Sequence, residues 1–291
     1  RVGIHDSFFR LGGNSMVAMR MMAACQEQFN KVFSLQSLYQ CKSVSRLAEK
    51  LEEMQTPIAA KKCSQGLLSF AQQSLFYVEQ FQRGKGQYHI PFLVMLKPDV
   101  NYEQLETAFQ LVIKKHNILN TVYQQTETGN AIQSLLPLSN NKIINFHRLN
   151  SCESLHENIT SFIRRPFNLE TEPSIKINVF DTGVDQYLLI VWHHISFDGW
   201  SIDVFMRELA AYYNSTAYGN ETRVSDAAIC YQDYAFWQHE QLSGNVLERL
   251  KSFWQTELQG AEPLALPTDY ERPALFDYEG AVQRFSLAPE L

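Results

Sequence analysis

No apolar run in the sequence approaches the ~20 residues that a membrane-spanning helix requires, and no signal-peptide pattern opens it. There is no basic block either. Lys and Arg total 25 against 31 Asp and Glu, the net charge is −6, and it is spread along the chain. A nucleic-acid partner, which calls for a basic stripe, is not expected, and neither is a membrane. Cysteine is scarce: the five residues Cys25, Cys41, Cys63, Cys152 and Cys230 are odd in number, widely spaced and without a CxxC. That argues against a disulfide framework or a zinc ribbon. Free, mostly buried thiols in a reducing, cytoplasmic compartment are the expectation. Internal repeats and low-complexity tracts are missing. The chain opens at Arg1 without a Met, as a piece of something longer would.

What is present is enough for a core. The 291 residues are 45% hydrophobic and 19% charged, which suits one large domain or two smaller ones and is not the composition of a disordered chain. Residues 1–54 read as helical. In "SMVAMRMMAACQEQF" the spacing of Val17, Met21, Ala24 and Gln28 predicts one helical face, a short helix fits "SLQSLYQ", and Val44, Leu47, Ala48 and Leu51 predict another helix with Ser43 as its N-cap. Residues 55–65, with Pro57 and no apolar period, read as a linker. From 66 onward helices alternate with strands. "SFAQQSLFYVEQFQ" is helical, and "NYEQLETAFQLVIKKH" carries Leu105, Ala108, Phe109 and Val112 on one face. "IPFLVML" and the alternating "SIKINVF" read as strands, and "QYLLIVW" as a strand buried on both faces. "SIDVFMRELAAYY" repeats the helical spacing at Ile202, Phe205, Met206 and Leu209. The mixture predicts an α/β layered domain.

Two short stretches carry chemistry. In "DSFFRLGGNS", Gly12 and Gly13 permit a tight loop and Ser15 falls at the first turn of a helix. A hydrolase nucleophile elbow, G-x-S-x-G, is excluded, because Val17 stands at the second glycine. No base adjoins Ser15 in sequence, so modification suits it better than catalysis. The ten residues resemble the attachment motif of peptidyl carrier (thiolation) domains of nonribosomal peptide synthetases, with Asp6, Phe8, Phe9, Leu11, Gly12, Gly13 and Ser15 matching. The resemblance implies that a phosphopantetheinyl transferase loads Ser15 with 4'-phosphopantetheine. It also implies a helical carrier of four-helix-bundle type, here without its first helix, over residues 1–54.

The second stretch is "VWHHISFDGWS". Side chains alternate along a strand, so His193 and His194 point opposite ways and one of them alone can meet a substrate. Asp198 and Gly199 make the turn, Ser201 begins the next helix, and Asp203 in its first turn complements the helix dipole. Adjacent histidines rarely converge on one ion and no HxxxH or HExxH is nearby, so no metal is expected. H-H-x-x-x-D-G-W-S resembles the core motif of nonribosomal peptide condensation domains. "SFAQQSLFYV", "KHNILNTVY", "RRPFNLETEPSIK", "YQDYAFWQ" and "LPTDYERPALFDYEG" resemble other family segments in the same order. The likeness covers nearly all of 66–291. It implies a chloramphenicol-acetyltransferase-like lobe with a mixed sheet, and a second lobe that is largely absent, which would leave an apolar face exposed. By the same resemblance His194 faces the tunnel where two carrier arms meet, His193 packs inward, Asp198 is structural, and Gly199 gives the turn its freedom. The implied partners are a downstream carrier, an adenylation domain and aminoacyl or peptidyl thioesters.

The implied reaction is amide formation, in which the acceptor amine attacks the donor carbonyl. As a general base His194 would contribute ~10²–10⁴-fold, or about 3–5 kcal/mol of barrier. An α-amine has a pKa of about 7.7–8.0, and a neighbouring thioester lowers it, so positioning the amine is the favoured role. Either role uses the neutral imidazole. The chain departs from the family pattern at Asn120, where an arginine partner of Asp198 is expected, at Asn117 for a glutamate, and near Ser74 or Leu75 for an arginine. Sequence does not place a substitute cation such as Arg10, Arg164 or Arg284, and an unpaired buried carboxylate is costly, so Asp198 is hydrogen-bonded, exposed or differently paired, or the domain is impaired. Competing readings are an epimerisation domain, which shares HHxxxDG, a non-catalytic recruitment platform, and an acyltransferase using free coenzyme A. Heterocyclisation is disfavoured because aspartate would replace the first histidine.

Overall fold

The computed structural model describes residues 3–32, 34–51, 57–60, 65–81, 86–137, 142–149, 153–217, 229–262, 264–271, 283 and 285–287. Arg284, Cys63, Cys152, most of the 55–65 stretch and the second half of "LPTDYERPALFDYEG" lie outside them. The chain divides into two compact units, residues 1–63 with 228–250, and residues 64–227 with 251–291.

In the first unit, α1 (Ser15–Phe29), α2 (Leu35–Cys41) and α3 (Val44–Glu49) enclose Ala18, Leu38, Cys41 and Leu47, with Phe8, Phe9, Met21, Met22, Cys25 and Leu51 packed against them. The buried face of α1 is therefore Ala18, Met21, Met22 and Cys25, not the expected Val17, Met21, Ala24 and Gln28, and Val17 is exposed. Ala18, one methyl wide, is the buried residue of this face, and the face is set one residue later than the apolar spacing suggested. In α3, Leu47 faces inward while Val44 is exposed, and Leu51, just beyond the helix, packs against the same cluster. Ser43 occupies the N-cap of α3 without a side-chain hydrogen bond.

The second unit begins with β1 (Gln65–Leu67) and α4 (Phe70–Phe81), followed by β2 (His89–Met95) and α5 (Tyr102–Lys115). A 3-10 turn over Asn117–Asn120 leads into β3 (Thr121–Gln125), β4 (Ala131–Leu135) and β5 (Ile144–Arg148). Then come α6 (Glu153–Arg164), β6 (Ile175–Asp181), β7 (Gln186–His193) and α7 (Gly199–Ala217). Near the C-terminal end lie α8 (Tyr231–Gln241), which falls in the first unit, and α9 (Gly244–Glu257).

The strands form an antiparallel sheet of order β1-β4-β3 and a mixed sheet of order β2-β7-β6-β5, in which β5 and β6 alone run parallel. In the mixed sheet β7 is central, and alternation splits its side chains. Leu188, Ile190 and Trp192 join a core with Phe109 of α5 and Phe205 of α7. Leu189 and Val191 join Phe76 of α4 and Phe162 of α6. Helices on both faces explain why β7 reads as one apolar run. β6 is covered in the same way, so it is buried at four consecutive residues, Ile177–Phe180, where alternation was expected. Cys25, Cys41 and Cys230 are free thiols, Cys41 buried and the other two half-buried.

Candidate functional site

The glycine loop of the first unit is built for a close approach. Gly12 has φ +91, and a Cβ on Gly13 would stand 2.3 Å from the Phe8 ring, so neither position tolerates a side chain without strain or displacement. Asn14 rather than Ser15 is the N-cap of α1, its side chain accepting from the Val17 amide at 3.0 Å, which leaves Ser15 as the first helical residue. Its neighbours Asn14, Met16 and Val17 are exposed.

The histidine pair lies where β7 ends. His193 pairs with His89 of β2 across the ladder and is fully buried, whereas His194 is exposed. Parity sends His193 to the α4 face, with Leu189 and Val191. Nearly every peptide of the loop is tied. The His193 amide donates to the Ser174 carbonyl at 2.9 Å, the His194 amide to the Tyr88 carbonyl at 2.8 Å, and the Ser196 amide to the His193 carbonyl at 3.1 Å. The Ile195 amide donates to Nδ1 of His193 at 3.1 Å, and the Ile195 carbonyl accepts from Nε2 of Gln72 at 3.3 Å. Trp192 stacks on Phe197 with centroids 4.1 Å apart, closing the loop at its base. Among the described residues no hydrogen bond engages the His194 ring.

Gln72 comes from the SxAQ segment and does two jobs. With Ser69 it forms a capping box at the start of α4: its amide donates to Ser69 Oγ at 3.2 Å, and its Oε1 accepts from the Ser69 amide at 3.1 Å. Its Nε2 reaches the histidine loop. Glu79, two turns on, is buried on the same helix face, with Oε2 3.8 Å from Nε2 of His193. Sequence reading missed this carboxylate. The available signal was its seven-residue offset from Gln72, which places a charge on the apolar face of α4. Glu79 also lines a cavity of about 650 Å³ with Arg165, Phe167 and Glu172.

Asp198 is exposed and caps α7. Its Oδ1 accepts from the Ser201 amide at 2.9 Å and from Ser201 Oγ at 2.7 Å. The Ser201 hydroxyl above all, helped by backbone hydrogen bonds and the nearby His194, holds the carboxyl below its ordinary value although burial pushes it up. One expectation is corrected: the helix starts at Gly199 rather than Ser201, so the cap is Asp198, and Asp203 lies beyond the first turn. Of the alternatives open for Asp198, the structure shows it exposed and hydrogen-bonded. Asn120 points elsewhere, donating from Nδ2 to the Leu136 carbonyl at 2.8 Å. The neighbouring His116 binds Glu208 of α7 at 2.7 Å, beside Lys115 at 2.9 Å. Burial would raise the Glu208 carboxyl, but these two partners outweigh it and hold it low. A pocket of about 320 Å³ lies beside this loop, lined by His116, Ile118, Phe197, Asp198 and Trp200.

Residues 64–291 match the family model of the condensation domain. The chain belongs to the condensation-domain family. Residues 1–51 of this condensation-domain chain match the phosphopantetheine attachment site model, and the unit that carries them is one that holds covalently attached 4'-phosphopantetheine. The condensation-domain chain is 33% identical to a component of the linear gramicidin synthase of Brevibacillus parabrevis, over 100% of its own length and 4% of that protein. It is 30% identical to a dimodular nonribosomal peptide synthase of Bacillus subtilis, over 100% of its length and 13% of that protein. It thus spans a small part of the curated relatives it matches. Among solved structures, the complex of the X-domain and OxyB from teicoplanin biosynthesis has a TM-score of 0.68 at 22% identity, covering 76% of this chain and 50% of that one. The first condensation domain of the calcium-dependent antibiotic synthetase, in complex with a substrate analogue, has a TM-score of 0.58 at 16% identity, covering 69% and 49%. At these identities the likeness establishes the fold, a chloramphenicol-acetyltransferase-like arrangement of mixed sheet and helices.

Proposed function

We propose that this chain is a carrier-plus-condensation segment of a nonribosomal peptide synthetase, with Ser15 as the attachment serine and His194 as the imidazole that meets the reacting amine. The split burial of the histidine pair carries the reading: one ring is locked into the loop and the other is presented to solvent on a tied backbone. Phosphopantetheine, when bound, supplies a thiol that holds an acyl group as a thioester. His194 accepts a hydrogen bond from the acceptor amine and orients its lone pair toward the donor carbonyl. His193, Asp198 and Gly199 shape the loop. Residues 1–54 are read as a carrier of four-helix-bundle type, 55–65 as a linker, and 66–291 as a first condensation lobe and the start of a second. Three helices within 1–51 and coverage of about half of the solved condensation chains support that division. The proposed partners are a downstream carrier and an adenylation domain of the same synthetase, a phosphopantetheinyl transferase, and aminoacyl or peptidyl thioesters. A cytoplasmic setting accords with the free thiols of Cys25, Cys41 and Cys230 among the described residues.

A recruitment platform is the second reading. It is favoured by Asn120 turning away from Asp198 and by the likeness to a domain solved in complex with OxyB. The first test is the mass of the chain after incubation with a phosphopantetheinyl transferase and coenzyme A. The expected result is a gain of one phosphopantetheine, lost in Ser15→Ala. No gain in a folded chain carrying a complete carrier would remove the Ser15 assignment.

A further inference from the structure

The buried side of the loop holds two imidazoles whose tautomers can be read from their partners. His193 Nδ1 accepts the Ile195 amide at 3.1 Å, so in the neutral ring the proton sits on Nε2. His89 faces it with centroids 6.1 Å apart, and its Nδ1 lies 2.5 Å from the Ile163 carbonyl. A carbonyl cannot donate, so His89 carries its proton on Nδ1. The two rings are therefore opposite tautomers. The His193 Nε2–H is buried and has no hydrogen-bond partner among the described residues. The anionic group facing it is Glu79, with Oε2 at 3.8 Å and a side chain 10% exposed. Tyr88 and Phe167 complete the wall around His193, and Lys176, stacked over Phe167, is the nearby cation.

We infer that Glu79 is a positioning residue for His194: its carboxylate, 3.8 Å from Nε2 and beyond hydrogen-bond distance, favours by its charge the proton on Nε2 of His193, which leaves Nδ1 to fix the Ile195 peptide and with it the backbone that presents His194. If the proton moved to Nδ1, it would confront the Ile195 N–H, leaving two buried donors facing each other and no acceptor for either. A carboxylate beside Nε2 selects the other tautomer, the arrangement by which carboxylates orient histidines elsewhere. Gln72 grips the carbonyl of the same residue, so α4 controls both sides of Ile195 from one buried face.

The inference rests on the proposed role of His194, but its test does not use activity. The chain is labelled with 15N-histidine, and the His193 ring nitrogens and the Ile195 amide are read in wild type, Glu79→Gln and Glu79→Ala. The expectation is an Nε2–H tautomer in wild type and in Glu79→Gln, whose amide oxygen keeps a partial negative charge toward Nε2. In Glu79→Ala, His193 loses that signature and the Ile195 amide signal shifts, while His89 keeps its Nδ1–H form. An unchanged His193 tautomer and Ile195 amide in Glu79→Ala would overturn the inference. Should Glu79→Ala fail to fold, Glu79→Met fills the volume without an acceptor and carries the same two outcomes. In a complete module, Glu79→Ala is expected to lower kcat about 10–100-fold at unchanged KM, with recovery in Glu79→Gln.

Discussion

The two halves of the histidine loop are held by different physics. The upstream half, Trp192 to Ile195, is buried but for the side chain of His194, and long-range contacts from α4, β2 and the Ser174 backbone fix it. The downstream half, Asp198 to Ser201, is exposed at Asp198, Gly199 and Trp200, and a local cap fixes it. The first half is expensive to disturb and sensitive to residues far away in sequence. The second is cheap to disturb and depends on its immediate neighbours. A reactive side chain at the junction inherits a rigid backbone from one side and access from the other.

The sharpest break should come at Trp192. It is fully buried and stacks on Phe197, so Trp192→Ala should cost about 3–5 kcal/mol in denaturant unfolding. Gln72→Ala comes next, at about 2 kcal/mol, because it opens the capping box and leaves the buried Ile195 carbonyl without its donor. Asp198→Ala should cost only about 1 kcal/mol, and Asp198→Ser, which keeps a cap, much less. Trp200→Ala is the smallest, within about 0.5 kcal/mol, since the ring is 86% exposed.

Acid should act on the buried half first. Burial depresses the His89 pKa below its ordinary 6.5, despite the hydrogen bond to Ile163. The unfolded chain therefore takes up that proton first, and stability is full above 6.5 and falls as the pH drops below it. The depressed carboxyls of Asp198 and Glu208 add losses only at lower pH, as each is protonated in the folded chain. A melting series from about pH 8 to about pH 5 should fall, and His89→Asn, which keeps a donor toward Ile163, should flatten the fall.

The helices that bury a broad apolar stripe were legible in the sequence. α5 and α7 bury the faces their spacing predicted, because each packs one side against a sheet. α1 was misread because its core residue is a small alanine and its exposed end carries Met16 and Val17, so hydrophobicity and burial part company. β6 hid its two-sided burial behind Lys176 and Asn178. The opposite fates of His193 and His194 followed from strand alternation alone. The grip of α4 on the loop did not, since contacts spanning more than a hundred residues leave no local pattern. Asp198 was legible as a turn residue, but its cap depended on where α7 begins.

The most direct test compares His194→Ala with wild type for dipeptide formation in a complete synthetase module that contains this chain, with melting of the chain itself as control. The account predicts a loss of about 10²-fold or more in product formation at an unchanged melting temperature, because the ring is exposed and makes no described hydrogen bond. Undiminished product formation by His194→Ala would contradict it.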